Sequence, residues 1–343
     1  MVYYTYCTEG CVKMGRKNDK EQLFSYENSI KKSNELSIAE MNKGLTLNQM
    51  QLFAYAIFST QKSGKTEFRK HEFEKKFSIS QFRSDDAMDD AYRLLDLKIQ
   101  IREKDQEIGR GHNVFTDYYY DNGLFSFKWN DKFIPHILKL KEKYIMTDLT
   151  IASKFKSGFS WILYDYLKAH YAYWHKKLTK EQLMQLFSVE DVKSYQRNTS
   201  IFKNKVIEVA IRELNKFTEY EVWYTDIRKG RSITGFILHW SVGKRISSAT
   251  VKQIELLKEI HNEVDRNIYK YLSIENPDYL SAARIDVLEI KGINEKLTEG
   301  LTSSEASDLI LKAKSHYESL QGLLKKDGDK TAEILQFNWL EDI

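Results

Sequence analysis

The sequence predicts an α+β protein built from two similar domains in tandem, the product of an internal duplication, followed by an acidic helical appendage. Three observations carry that expectation. The element order helix, helix, helix, strand, turn, strand can be read twice, at an offset of about 110–120 residues. Matched signatures recur at that offset. Phe77-Ser78-Ile79 answers to Phe187-Ser188-Val189, Leu94 to Leu214, and Phe125-Ser126-Phe127-Lys128-Trp129 to Phe236-Ile237-Leu238-His239-Trp240. The charge is also uneven. The 343-residue chain has a net charge of +4, but from Ile246 onward 12 Lys+Arg face 18 Asp+Glu, a net of −6 that leaves +10 for residues 1–245. A basic body with an acidic tail suits a polyanionic partner for the body alone.

The expected domains follow from these patterns. Residues 1–32 are polar and aperiodic and read as a mobile arm. In the first domain, residues 33–148, Thr46-Leu47-Asn48-Gln49 is a capping box ahead of the helical stripe Met50, Phe53, Ala54 and Ile57. A second helix is expected from about Arg69 to Phe77, and a third from Ser84 through Ala87, Ala91 and Leu94. Ile99 and Ile101 read as a strand, and Glu103 to Gly111 as a polar turn. Val114–Tyr120 and Leu124–Trp129 form a hairpin around Asp121-Asn122-Gly123, because Asn-Gly favours the tight turn that joins two strands. Phe133–Tyr144 reads as a closing helix.

The second domain, residues 149–245, opens with a helix over Ser157–His170, followed by the capping box Thr179-Lys180-Glu181-Gln182. Ile207, Ala210, Ile211, Leu214 and Phe217 then mark the buried face of a long helix starting near Lys193. Two strands follow, the second alternating as Thr234, Phe236, Leu238 and Trp240, and between them lies the turn Arg228-Lys229-Gly230-Arg231. A cationic helix front and a cationic hairpin tip around one small core are the means by which a winged helix addresses DNA, so two tandem winged-helix domains are expected. In the appendage, residues 246–343, Asn276-Pro277 breaks one helix, Thr302-Ser303-Ser304-Glu305 caps another, and Lys325–Asp329 reads as a polar loop.

The candidate DNA-binding residues come from the chemistry of each position. Arg can bond guanine bidentately, Asn can do the same with adenine, and Lys mostly meets phosphate. Near the front of the long helix these are Lys193, Tyr195, Arg197, Asn198, Thr199, Lys203 and Lys205, and in the turn Arg228, Lys229 and Arg231. Cations at a helix N-terminus oppose its dipole, which favours a binding role over a merely solvated face. The third helix of the first copy opens instead with Asp85, Asp86, Asp89 and Asp90, which suit the dipole and repel phosphate. Lys65, Arg69, Lys70, Arg83, Arg102 and Lys104 remain there for backbone contact.

Other function classes lack their residues. Gly64-Lys65-Thr66 resembles the end of a phosphate-binding loop, but Ser59 stands where its first glycine belongs. His71-Glu72 begins like a zinc-protease helix, yet Lys75 holds the second histidine position. Cys7 and Cys11 have no neighbouring ligand for a zinc site, and His170 and His175 do not form a metal pair with one apolar residue between them. The Asp85–Asp90 cluster reads as a helix start with no supporting metal ligand. Neither an enzyme nor any cofactor or metal is expected. No apolar run approaches the ~20 residues that cross a bilayer, and the N-terminus lacks the order of a signal peptide. A cytoplasmic protein is expected, with Met1 and Met14 both candidate starts.

The run TSIFKNKVIEVAIRELNKFTEYEVWYTDIRKGRSITGFILHW, with KKSNELSIAEMNKGLTLNQMQLFAYAIF before it, resembles the iteron-binding plasmid replication initiators of the theta-replicating type, over about residues 31–245. The resemblance implies that the second winged helix reads the major groove of each origin repeat. The first would then contact DNA backbone and supply a dimer interface. It also implies monomers that open the origin, dimers that repress their own promoter, and partnership with the host replication initiator and helicase. On this chain it places base reading at Arg197, Asn198 and neighbours, and the wing at Arg228, Lys229 and Arg231. Two alternatives share parts of the pattern: a winged-helix transcriptional repressor with no initiation role, and a DNA-nicking relaxase.

Overall fold

The computed structural model describes residues 17–34, 40–41, 44–103, 108–138, 140, 143–171, 173–297 and 300–340. The chain divides into two compact units, Met1–Arg245 and Ile246–Ile343.

The first unit holds the two winged helices. In the first, α1 (Leu47–Ser63) starts at the Thr46 capping box and stops at Gly64, whose φ of 75° closes the helix in a left-handed turn. Strand β4 (Glu67–Arg69), α2 (Lys70–Phe77) and α3 (Ser84–Leu95) follow, then β7 (Phe115–Asp121) and β8 (Leu124–Trp129), in a sheet of order β4-β8-β7. Asn122 and Gly123 both take positive φ (47° and 76°), as a two-residue hairpin between twisted strands requires. The core is aromatic. Phe53, Phe115, Trp129 and Phe133 pack together, and the Trp129 indole donates to Thr60 Oγ1 at 2.8 Å.

The second winged helix repeats that plan. After the short α4 (Leu149–Ala152), helix α5 (Gly158–Ala169) leads to β10 (His175–Thr179), α6 (Lys180–Leu186), a broken long helix, and then β11 (Tyr220–Lys229) and β12 (Ser232–Val242). The sheet order β10-β12-β11 reproduces β4-β8-β7. The duplication extends to backbone detail. Ser78 and Ser188, each following a buried Phe, take φ of 52° and 53° and end the second helix of their copy in the left-handed region. Ile79 and Val189 then return their N–H groups to Glu74 and Met184, both at 2.9 Å.

In the first unit four stretches differ from the sequence expectation. Glu103–Gly111 is no simple turn, because β5 (Lys98–Glu103), which also pairs with β3 (Glu40–Met41), pairs with β6 (Ile108–Asn113), Gly109 opposite Arg102 and Gly111 opposite Gln100. Among its described residues Phe133–Tyr144 gives one 3₁₀ turn, Ile134–His136, rather than a closing helix. The chain is drawn instead into β9 (Tyr144–Asp148), a few residues on. The polar arm is structured over its described part. Glu21–Phe24 forms β1, and β2 (Ser29–Ser33) pairs antiparallel with β9, burying Phe24 and Ile30. Two apolar side chains are too weak a periodic signal, but side-chain bonds hold the segment: Asn18 Nδ2 donates to the Glu219 carbonyl at 2.7 Å, and Lys20 Nζ to that of Asn215 at 2.8 Å. The long helix of the second copy is the fourth difference, described with the site. Cys7, Cys11 and Met14 lie outside the described residues.

One hydrophobic cluster runs through both winged helices, from Phe24 to Trp240. Where they meet it encloses charge. Lys32 of β2 and Thr147 of β9 both donate to the buried Asp165 of α5, and Lys168 of α5 donates to the Met146 carbonyl. Glu219, fully buried, accepts from Arg245 Nε at 2.6 Å. Buried charges persist only when bonded in this way.

The second unit is helical. Val251–Arg266, Ile268–Leu272, Pro277–Glu295 and Ser303–Leu340 enclose their own core, with Leu257, Val264, Tyr271, Ile290, Ala313 and Leu320 inside. Asn276 caps the third of these through its side chain, with Pro277 at the first helical position, where a missing N–H costs nothing. Lys325–Asp329, expected as a loop, lies inside the last helix. No described helix is long and apolar enough to cross a membrane.

Candidate nucleic-acid interface

The site is built on the segment after α6. Lys193–Arg197 forms α7, Thr199–Phe202 forms α8, Lys203–Ile207 winds as a π-helical turn, and Glu208–Phe217 forms α9. The continuous helix expected from Lys193 is thus broken at Asn198, whose backbone is extended (φ −127°, ψ 100°). Its side chain explains the break: Oδ1 accepts from Ser200 N at 3.0 Å and Ile201 N at 3.3 Å, capping the new helix. Through the π turn and on into α9 the inner face is buried, with Phe202, Val206, Ile207, Ala210 and Leu214 inside, while Asn204 and Lys205 are exposed. Helix α7 is fixed from below by Lys180, whose Nζ donates to the Gln196 carbonyl at 2.7 Å and whose ammonium burial pushes below its ordinary value.

The wing is β11 and β12 joined at Gly230, where φ is 61°. Gly235 lets β12 approach β10 closely, since a Cβ there would lie 2.5 Å from the Leu178 carbonyl oxygen. A carboxylate couples helix to wing. Asp226 of β11 accepts from Lys203 Nζ at 3.0 and 3.2 Å, and from Arg228 at 3.0 Å. Burial works to lower the Lys203 ammonium, but its bonds to Asp226 and Tyr224 outweigh that and hold it above its ordinary value. Its Nζ also lies 5.1 Å from the centre of the Tyr224 ring, whose hydroxyl donates to Glu208 at 3.0 Å.

The expected site residues therefore divide. Lys193, Arg197 and Lys205 are exposed on the helical side, and Arg228, Lys229 and Arg231 on the wing, with Thr199 half-buried at the start of α8. Tyr195 instead packs its ring 6.0 Å from that of Phe202, so its role is in the core. Asn198 is a cap, and Lys203 is a half-buried strut to the wing. In the first winged helix Lys70 Nζ donates to the Phe82 carbonyl at 2.7 Å and serves the fold. Lys65, Arg69 and Arg83 are exposed, each at the edge of a different helix, and Arg83 stands 3.9 Å from Asp85. Arg102 lies in β5 and Lys104 outside the described residues. Ser200, Ile201, Asn204 and Arg212 are also exposed along this segment and escaped the sequence reading. The spacing of Ser200 and Asn204, four apart after a capping Asn, could have found those two. Among the described residues no group of acidic, His or Cys side chains is placed to hold a metal.

Two domains, each with a three-stranded sheet and a helix set against its hairpin, define a tandem winged-helix protein with a cationic helix-and-wing face on the second copy. The chain belongs to the initiator replication protein family. The family's WH1 domain, described as "Initiator Replication protein, WH1", matches residues 29–168, and its "Initiator Rep protein, WH2" matches residues 179–240. Among solved structures the chain is similar to the Pi initiator protein, crystallised in complex with iteron DNA. The two share 22% identity over 63% of this chain and 98% of that one, with a TM-score of 0.48. It is also similar to domains 2–3 of RctB at 11% identity over 58% of this chain and 84% of that one, with a TM-score of 0.38. No curated protein sequence matches.

Proposed function

We propose that this protein initiates plasmid replication by binding direct repeats, iterons, in origin DNA through its second winged helix. Arg197, Thr199, Ser200, Asn204 and Lys205 face the major groove and the wing cations Arg228, Lys229 and Arg231 hold flanking phosphate. The observation that carries this reading is the Asp226 link. One carboxylate ties Lys203 of the helix to Arg228 of the wing, so the two cationic elements are held as one surface. A helix front that offers Arg and Asn side chains can read base edges, and a basic tip can grip backbone. The protein performs no nicking chemistry of its own. It opens the origin, recruits host replication proteins, and represses its own promoter as a dimer.

The test is binding by fluorescence anisotropy across a salt series, to DNA carrying tandem direct repeats from around the protein's own gene and to a shuffled control. Arg197→Ala should cost about 1–3 kcal/mol on the repeat and relax base preference there. Lys229→Ala should weaken both DNAs alike and lower the salt slope by about one. Equal, steeply salt-dependent binding of the native protein to both DNAs would sink the proposal.

A further inference from the structure

The two winged helices share a topology but carry opposite charge on equivalent helices. Helix α3 follows the left-handed Ser78 and precedes its sheet's edge strand, the place α8 and α9 fill after Ser188. Its inner face, Ala87, Ala91 and Leu94, is buried. Its outer face presents Asp85, Met88, Asp89 and Tyr92 at i, i+3, i+4 and i+7, one continuous stripe, all exposed. Met88 is 43% and Tyr92 54% exposed, although both are large and apolar in their bodies. The Tyr92 ring meets Tyr118 of β7 edge-on at 6.4 Å, so the apolar patch continues from helix to strand.

Asp85, Asp86 and Asp89 border this patch, with Asp117 beside Tyr118 in sequence; Arg83, 3.9 Å from Asp85, Arg93, and Lys128, opposite Asp117, offset part of that charge and leave an acidic surplus. Such a rim repels phosphate, so the face that reads DNA in the second copy is closed to DNA in the first. Solubility needs the aspartates but not an exposed Met and Tyr at their centre. Aromatic and Met side chains inside a charged rim are the composition of a protein-docking surface, and the sign of the rim selects a cationic occupant.

We propose that the outer face of α3, with Tyr118, is a docking site for a basic amphipathic segment of a partner protein, one that presents Lys or Arg around an apolar anchor. The anchor seats against Met88 and Tyr92. The aspartates steer the encounter and fix its polarity. The inference stands apart from the DNA-reading proposal, because it concerns the other copy.

The test uses the full chain labelled with ¹³C at its methionine methyls, with the Met88 signal assigned by Met88→Leu. The probes are a synthetic amphipathic Lys/Leu helical peptide and its Glu/Leu counterpart. The Lys peptide should move the Met88 signal and the Glu peptide should not. Tyr92→Ser and the pair Asp85→Asn, Asp89→Asn should each weaken the Lys peptide by about tenfold, while duplex DNA binding is unchanged. An unmoved Met88 signal overturns the proposal, as does equal peptide affinity in native and variant proteins, which would place the peptide on another acidic surface. A Met88 signal that changes with protein concentration alone, with self-association lost in Tyr92→Ser on sedimentation, would make the face a contact between copies and refute a foreign partner.

Discussion

Lys168 sits in the fold at an energetic disadvantage that can be measured. The side chain is buried in α5, its ammonium donating to the Met146 carbonyl and standing 4.0 Å from the centre of the Tyr164 ring and 5.6 Å from that of Phe24. Burial pushes its pKa from 10.5 down to about 7, against the pull of Glu219, Asp165 and Asp148, while Arg245 adds to the lowering. The sign follows directly. Between about pH 7 and pH 10.5 the unfolded chain keeps a proton that the folded chain releases. Stability therefore rises with pH through that window by up to about 1.4 kcal/mol per unit, with a ceiling of about 5 kcal/mol that neighbouring carboxylates and local relaxation reduce. Below pH 7 both states carry the proton and the contribution is flat at its unfavourable end.

Lys168→Met keeps the stem and removes the ammonium. Asp165 retains Lys32, and Glu219 retains Arg245, so no acid loses its nearest cation. Urea unfolding followed by tryptophan fluorescence, at intervals from pH 6.5 to 9.5, should show a variant at least as stable as the native protein at pH 7, by about 0–4 kcal/mol. The two profiles should then converge as pH rises, because only the native protein gains. Parallel profiles with the variant less stable throughout would refute the reasoning. They would mean that Lys168 stays charged in the fold and contributes as an ion-pair partner of Glu219 and Asp165.

Further outcomes follow from the site. Asn198→Ala removes the acceptor for two helix-start N–H groups and should cost about 1 kcal/mol of stability, with Asn198→Ser restoring most of it; no change in thermal midpoint would deny Asn198 its capping role. Asp226→Asn releases Lys203 and Arg228 from their shared carboxylate and adds a positive charge to the face. Anisotropy on random duplex DNA should therefore show tighter binding with a salt slope steeper by about one, and an unaltered slope would argue against this face meeting phosphate. Gly235→Ala drives a Cβ to within 2.5 Å of the Leu178 carbonyl oxygen and 3.1 Å of Thr179 Cα, so β10 must move off the sheet. Chemical unfolding should register a loss of about 2 kcal/mol or more, whereas near-native stability would show that the strands have room.

What could be read from the sequence was local and periodic. The capping boxes at Thr46 and Thr179 formed as their spacing implied, each Thr hydroxyl accepting from the Gln three residues on and each Gln reaching back. Asn122-Gly123 turned the hairpin, and the Phe-Ser-Ile and Phe-Ser-Val signatures marked two left-handed helix ends, a shared conformation that only the duplication made visible. What stayed hidden depended on distant partners. The strands at Glu21–Phe24 and Ser29–Ser33 have polar, aperiodic sequences because part of what holds them is side-chain bonds to residues some two hundred positions on. The π turn was hidden for a different reason: Phe202, Val206, Ile207, Ala210 and Leu214 all fall on the one face that a 3.6-residue template gives, so the periodicity carries no mark of the turn.

The same distance dependence limits what residue type says about the candidate interface. Asn198, Lys203, Tyr195 and Lys70 have the chemistry of DNA contacts, yet each meets its demand within the fold, through two backbone N–H groups, Asp226, Phe202 and the Phe82 carbonyl respectively. A cation near a helix start is a candidate only until a carboxylate or carbonyl is found beside it. Applied to both copies, that rule leaves Lys193, Arg197, Lys205, Lys229 and Arg231 exposed on the second, while the outer face of α3 in the first presents Asp85 and Asp89 beside Met88 and Tyr92. Duplication supplied two equal scaffolds. Because topology and core are shared, the difference in what each copy can bind resides in a few outward side chains, where a change of charge costs little stability and reverses the choice of partner.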